Sequence, residues 1–150
     1  MKIEFTVQNI PPKKDGANSM WLKDSEAPRI LSLRKAALDA MKKAGLKACI
    51  DSPVKLEVTV LAPSSQFIRN SGNYIGDLDT LVAGICDGLQ AAHSNTPIAH
   101  ALFQNLQTPE IHPNHKLLLN DDAQVMTIVA KKERLDNSQQ TYYQIVLEAI

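Results

Sequence analysis

The segment from Val54 to Val60 has the most restrictive pattern in this chain of 150 residues. Apolar and polar side chains alternate strictly along it, with Val54, Leu56, Val58 and Val60 set against Lys55, Glu57 and Thr59. Successive side chains of a strand point to opposite faces of its sheet, so this pattern predicts a strand with one buried face and one face in water. A sheet with one apolar face needs a covering layer, and we expect helices to supply it.

The remaining periodicities predict one α+β domain over residues 1–150, with helices packed on a mixed sheet in the order β-α-β-α-(α)-β-β. The other expected elements are strands near residues 2–7, 125–129 and 142–147, and helices near residues 29–44 and 78–89. Thr96-Pro97 resembles a helix start inside a long connection at about residues 91–116. The polar run at residues 136–140 predicts a hairpin turn between the last two strands.

Composition is typical of a globular protein, with 44% hydrophobic and 21% charged residues. No run approaches the roughly 18 apolar residues that a membrane span needs. The N-terminus alternates like a strand and lacks the apolar centre of a signal peptide. Cys49 and Cys86 have no motif spacing, which favours free thiols. These features predict a cytoplasmic protein that does not associate with membranes.

Charge is distributed unevenly although its sum is zero. Residues 1–50 carry ten Lys and Arg against five acidic residues, a balance of +5. Residues 77–122 carry six acidic residues against Lys116, a balance of −5. A basic surface near an acidic cluster suits a metal-dependent enzyme that acts on a polyanion. A solvated, lysine-rich helix in the first third accounts for the asymmetry equally well.

Two acidic pairs stand at the ends of predicted elements. Asp77 and Asp79 open the second helix, where Asp79 would serve as N-cap, and Asp121-Asp122 precede the third strand. If that strand runs beside the helix start, carboxylates of both pairs meet, and Mg²⁺ would relieve their repulsion. The ion would then bind phosphate oxygens and activate a water molecule. The alternative is structural, with these acids serving only as helix caps and turn residues.

Three motifs stand out in this order along the chain, Gly76-Asp77-Leu78-Asp79-Thr80-Leu81, Ile85-Cys86-Asp87-Gly88-Leu89 and Asp121-Asp122-Ala123-Gln124-Val125. Together they resemble the RusA family of Holliday junction resolvases. The resemblance implies a homodimeric endonuclease, dependent on Mg²⁺ or Mn²⁺, that cuts four-way DNA junctions in recombination and repair. It also implies that Asp77, Asp79 and Asp122 are the catalytic, metal-binding acids, with Asp121 in a lesser role at the metal.

The chain departs from the family pattern at three places. Ala83 stands where the family usually has a lysine, Thr80 replaces an asparagine, and the connection at about residues 91–116 is longer than usual. Either another cation, such as Lys116, Lys131 or Arg69, supplies the missing charge, or the chain is a weak or inactive DNA-binding relative. A small protein-interaction module is the third possibility.

DNA contacts are expected from basic residues on predicted loops and strand ends, namely Lys13, Lys14, Arg69, Lys131 and Lys132. Two loop aromatics, Trp21 and Phe67, would either stack on unpaired bases or pack on the core. The four histidines lack partner cysteines at zinc-ligand spacing, and no Gly-rich phosphate loop is present.

Overall fold

The sheet of this chain has four strands and is covered by two helices, as seen in a computed structural model that describes residues 1–15 and 19–150. The elements are β1 (Lys2–Val7), α1 (Ala27–Lys43), β2 (Val54–Pro63), α2 (Leu78–Leu89), β3 (Val125–Leu135) and β4 (Tyr142–Ala149). The strand order is β1-β4-β2-β3, with β2 and β3 parallel and the other pairs antiparallel. The α+β fold with a mixed sheet is confirmed. In the described part of the chain, no helix is long and apolar enough to cross a membrane.

The alternation along β2 has the predicted consequence. Val54, Leu56, Val58 and Val60 are buried, whereas the polar residues between them are half-buried. The apolar residues of α1 and α2 belong to the same buried cluster as this face of β2. The core therefore lies between the two helices and one side of the sheet.

The predicted hairpin between the last two strands is wrong. β3 and β4 lie on opposite sides of β2, so residues 136–141 cross the end of β2 instead of forming a tight turn between paired strands. The physical reason lies in burial. The core-facing residues of β4, which include Tyr143 and Ile145, are fully buried and need a central position, whereas β3 is mostly exposed and occupies an edge.

The helix predicted after Thr96 is also absent. Residues 91–116 contain only two 3₁₀ turns, Ala101–Phe103 and Pro109–Ile111. Three prolines, Pro97, Pro109 and Pro113, remove backbone donors from this segment, and Asn105 has a φ of 55°. The carbonyls of residues 111, 112 and 115 accept hydrogen bonds from the side chain of Arg34 instead of from a helix backbone. The segment is held by tertiary contacts, not by helix formation.

Gly84 brings α2 against the N-terminal loop, and its replacement by alanine should destabilise the protein by about 1–3 kcal/mol. A Cβ atom at Gly84 would lie 2.0 Å from the carbonyl oxygen of Pro12, a backbone atom that cannot move alone. Alanine is more favourable than glycine inside a helix by about 1 kcal/mol, so the measured destabilisation is the steric cost of the Cβ atom reduced by this amount. Urea denaturation provides the measurement.

Gly88→Ala is the matched control, because a Cβ there would meet the side-chain end of Leu33 at 2.6 Å. A side-chain end can rotate, so the destabilisation should be smaller than for Gly84→Ala. Equal urea midpoints for the two variants would contradict the proposed role of Gly84.

Candidate functional site

The start of α2 contains the first predicted acidic pair. Asp77, not Asp79, occupies the N-cap position, and its side chain does not cap the helix. Its carboxylate accepts hydrogen bonds from the hydroxyl of Tyr74 and from Arg69, the latter at 2.6 Å. The Tyr74 hydrogen bond first, then Arg69, holds the pKa of Asp77 below its usual value. Asp79 lies in the first turn of the helix.

Lys132 ties β3 to the loop that precedes α2. Its Nζ donates to the carbonyl of Gly76 at 3.0 Å and lies 5.2 Å and 5.4 Å from the ring centres of Phe67 and Tyr74. A cation over aromatic rings is attracted to their negative faces. Sequence reasoning missed Tyr74, although an aromatic residue three positions before Asp77 is a usable signal. In this structure Phe67 and Lys132 thus contact each other, and Lys132 also contacts the loop before α2.

The second acidic pair lies at the opposite end of α2. Asp121 caps the 3₁₀ turn Asp122–Gln124, and Gln124 completes a capping box with it, which is the structural role considered for this residue. The backbone N–H of Asp122 donates to the side chain of Gln90, just beyond the end of α2, at 3.2 Å. The third strand therefore does not begin beside the start of α2, which was the condition for the two acidic pairs to meet.

This arrangement follows from the relative direction of the two elements. The start of α2 lies by Lys132, in the second half of β3, whereas its end lies by Asp122, just before β3. α2 and β3 therefore run in opposite directions. Asp79 and Asp87 are eight residues apart on the helix, which corresponds to about 12 Å along its axis. Asp122 thus lies near Asp87 and not near Asp77.

Carboxylates crowd together at the Asp122 end. Burial, followed by the neighbouring Asp121 and Asp87, raises the pKa of Asp122. Lys14 offsets part of this negative charge, because its Nζ lies 2.9 Å from Asp87. Its hydrogen bond to Asp87 raises the pKa of Lys14. Asp87 and Asp121 thus both act on Asp122, while Lys14 is paired with Asp87.

Gln90 and the backbone of Lys14 fix this group in place. Gln90 links the carboxylate of Asp87 to the backbone of Asp122, because its Nε2 donates to Asp87 at 3.3 Å while its Oε1 accepts from the backbone N–H of Asp122. The N–H of Lys14 donates to the carbonyl of Thr80 at 3.2 Å, which holds the N-terminal loop along α2. Sequence reasoning missed Gln90, since no motif marks a glutamine after a helix end.

Two concave surfaces meet at Asp122. The first, which we call the Asp122 cleft, has a volume of about 690 Å³ and is lined by the apolar residues Met20, Trp21, Ala91 and Ala92 and by polar residues, mainly Lys14, Asp87, Gln90, His93, Lys116, Asp121 and Asp122. The second, the α2–β3 groove, has a volume of about 600 Å³ and is mostly apolar, with Leu78, Asp79, Val82, Ala83, Cys86, Asp122, Val125, Ile128 and Ala130 along it. Asp79 and Asp122 both line this groove, although they belong to opposite ends of α2.

The structure divides the predicted metal ligands into two groups. Asp77 and Asp79 belong to the start of α2, and Asp121 and Asp122 to the region of its end. Among residues 1–15 and 19–150, no three His, Cys, Asp or Glu side chains are arranged closely enough to hold a metal ion, and this applies to Asp87, Asp121 and Asp122 as well as to Asp77, Asp79 and Asp122. A Mg²⁺ site formed by Asp77, Asp79 and Asp122 therefore stays a prediction.

Several basic residues expected at DNA form ion pairs within the chain. Lys13 pairs with Asp15 at 3.4 Å and Lys131 with Glu133 at 3.0 Å. Trp21 is 5% exposed and packs in a small second core with Phe103, as the core-packing alternative predicted. Trp21 is nevertheless one of the residues that line the Asp122 cleft.

Comparison of the chain with protein-family models and with curated proteins gave no match. The resemblance to the RusA family therefore rests on the motifs alone and stays a prediction.

Proposed function

We propose that this protein is a Mg²⁺-dependent, structure-selective endonuclease that cuts branched DNA and holds its metal in the Asp122 cleft. The supporting observation is that Asp87, Asp121 and Asp122 line one cleft beside Lys14, where a Mg²⁺ ion held by one or two of these carboxylates would take its remaining oxygen ligands from water and DNA phosphates. Crowded carboxylates without a cation repel one another, and a divalent cation with oxygen ligands removes that repulsion. The choice of branched DNA, and of a four-way junction in particular, comes from the motif resemblance.

The residues of the cleft suit phosphodiester hydrolysis. A divalent ion at Asp122 would supply a metal-activated water and neutralise charge on the leaving oxygen. Lys14, which is more than half exposed, and Lys116 stand at the same cleft and would contact phosphate oxygens. The hydrogen bonds of Gln90 to the Asp87 carboxylate and the Asp122 backbone would hold these two residues together before the substrate arrives.

The first test is cleavage of a labelled four-way DNA junction beside linear duplex of the same sequence, with Mg²⁺, with Mn²⁺ and with EDTA. We expect nicking of the junction that depends on the metal. The chelator controls for metal-independent contamination. If the protein neither binds nor cleaves the junction, the proposal is contradicted and a protein-interaction module is favoured.

Asp79→Asn in the same assay distinguishes two positions of the metal. A metal held in the Asp122 cleft lies about 12 Å along α2 from Asp79, so cleavage should stay within roughly twofold of the wild-type rate. The family resemblance implies instead that this variant loses cleavage while it still binds the junction. Loss of cleavage would therefore place the metal with Asp77 and Asp79 and overturn the cleft as the metal site.

A non-catalytic DNA-binding protein is the second candidate. One observation in its favour is the separation of Asp79 from Asp122. The other is Ala83, which leaves a methyl group in the α2–β3 groove where the family has a lysine. This candidate predicts tight binding of the junction without cleavage in any of the metal conditions.

A further inference from the structure

The α2–β3 groove lies directly beside an open strand edge. β3 pairs with β2 on one side, and in the described part of the chain no strand pairs with its other side. From Thr127 to Leu135 the pairing with β2 is regular, so this edge is continuous beside the groove. Ile128 is 51% exposed there, although it is in register with the buried residue Leu56. An open edge offers unpaired N–H and C=O groups to an added strand.

The charged residues that line this groove are both acidic, namely Asp79 and Asp122. Neither forms a salt bridge with any residue that the structure describes, whereas the nearby Asp77 and Asp87 do. An apolar groove with carboxylates as its charged groups disfavours a polyanion such as DNA and attracts a ligand with basic groups. Charge complementarity therefore favours an occupant that is apolar and basic.

The basic residues of β3 do not line the groove. Lys131 pairs with Glu133 at 3.0 Å, and both side chains belong to the face of the sheet opposite the helices. Lys132 donates to a backbone carbonyl and lies over two aromatic rings. Arg134 is four residues, or about 13 Å, beyond Ala130, the last residue of β3 along the groove. The two carboxylates are therefore the charged groups that a ligand in the groove meets.

The separation of the two acids sets the spacing of basic residues in a partner. Asp79 and Asp87 are eight residues apart on α2, about 12 Å along its axis, and Asp122 lies near Asp87. Four residues of an extended chain span about 13 Å. Side chains at positions i, i+2 and i+4 of a strand point to the same face. An extended segment with basic residues at i and i+4 and an apolar residue at i+2 therefore matches the groove.

We propose that the α2–β3 groove binds an extended peptide segment of another protein, with this basic–apolar–basic spacing, as a further strand beside β3. The basic side chains pair with Asp79 and Asp122, and the apolar side chain lies between α2 and β3 against Ile128. Backbone hydrogen bonds to the open edge of β3 supply affinity, and the three side chains supply specificity. This inference concerns a protein partner and does not depend on the proposed nuclease activity.

Fluorescence anisotropy of labelled synthetic peptides, measured with the full chain in EDTA, tests the groove. The chelator is needed because Mg²⁺ at Asp122 would compete with a basic side chain. The test peptide is Thr-Lys-Thr-Leu-Thr-Lys-Thr. The control peptide, Thr-Thr-Lys-Leu-Lys-Thr-Thr, has the same composition but places both lysines on the face opposite the leucine. We expect a dissociation constant about fivefold or more lower for the test peptide, since the control loses two exposed ion pairs. Equal dissociation constants, or no binding of either peptide, would overturn the proposal.

Three variants locate the test peptide on the protein. Asp79→Asn should raise its dissociation constant roughly twofold to fivefold, the size of an exposed ion pair. Ile128→Thr removes apolar surface from the groove and should raise it roughly fivefold. Val129→Thr is the matched control, because Val129 is similarly exposed, 47%, but belongs to the opposite face of β3, and its effect should be less than twofold.

Two further results would contradict the peptide as occupant. Equal binding of the test peptide by Ile128→Thr and Val129→Thr would show that it binds elsewhere. Sedimentation velocity provides the other result, because a wild-type dimer that Ile128→Thr dissociates would place a second copy of this chain in the groove. Circular dichroism of each variant verifies that it is folded.

Discussion

Arg34→Met should destabilise this protein by about 3–5 kcal/mol, the amount typical of breaking a buried charged network. Arg34 is fully buried in α1, where its guanidinium donates five hydrogen bonds to the carbonyls of Gly88, Gln90, Ile111, His112 and His115. Methionine has similar length but no donor, so these carbonyls would lose their partners. A domain is commonly stable by only about 5–15 kcal/mol in total, so the loss is large.

The guanidinium also neutralises the end of α2. The carbonyls of Gly88 and Gln90 lie at its C-terminus, where the helix dipole favours a cation. Burial lowers the pKa of Arg34 to about 9, which still leaves the group charged at neutral pH. The charge is therefore balanced by backbone dipoles and not by a carboxylate.

Urea denaturation measures the effect of Arg34→Met, with Lys35→Met as the control. Lys35 is the next residue of the same helix and is exposed, so its replacement should change the free energy of unfolding by less than about 0.5 kcal/mol. Arg34→Lys keeps the charge but has fewer hydrogen-bond donors, so its free energy of unfolding should lie between those of Arg34→Met and Lys35→Met. If all three variants unfold at the same urea concentration, the network contributes little to stability.

Sequence periodicity predicted the elements that bury an apolar face, for a clear physical reason. The alternation of β1 and β2 and the helical spacing of α1 and α2 reflect burial on one side only, so each element was found close to its observed limits. Periodicity within a strand says nothing about which strand lies beside it. The hairpin between β3 and β4 was therefore predicted from the turn residues at 136–140 and was wrong.

Residues 91–116 could not be predicted because their order comes from Arg34. The apolar spacing after Thr96 matches a helix, yet the segment is bound by a side chain from α1 more than 70 residues earlier in the chain. Nothing in the pattern around Arg34 marks it as buried, since arginine is usually exposed. Long-range polar contacts of this kind leave no periodic signal.

The candidate site was predicted only in part. The sequence identified Asp121 and Asp122 as metal ligands, Lys14 as a DNA contact and Asp87 as part of a motif, and the structure places these residues together and adds Gln90. Whether Asp77 and Asp79 join this group depends on the direction of β3 relative to α2, which the sequence does not encode locally. Charge pattern thus indicates which residues are candidates, whereas topology decides which of them meet.

Asp122→Asn should reduce junction cleavage by roughly 100-fold or more, the order expected when a group that stabilises the transition state is removed. In the proposed site the carboxylate of Asp122 binds the metal, and the amide that replaces it in the variant would hold Mg²⁺ poorly. Initial rates of junction nicking at saturating Mg²⁺ give the measurement. Asp136→Asn, in the exposed connection after β3, removes the same charge far from the cleft and should leave the rate unchanged.

The stability of Asp122→Asn without metal distinguishes a loss of metal binding from a loss of correct folding. The pKa of Asp122 is raised in the folded protein, so the folded state binds more protons than the unfolded state near that pKa, and ionised Asp122 lowers stability above it. Asp122→Asn should therefore raise the thermal midpoint at neutral pH without metal, and this gain should shrink as the pH falls and the wild-type carboxyl becomes protonated. Added Mg²⁺ should stabilise the wild type but not the variant, because only the wild type binds the ion in its folded state. A variant that cleaves normally, or that loses stability at neutral pH, would show that Asp122 serves the fold and not the metal.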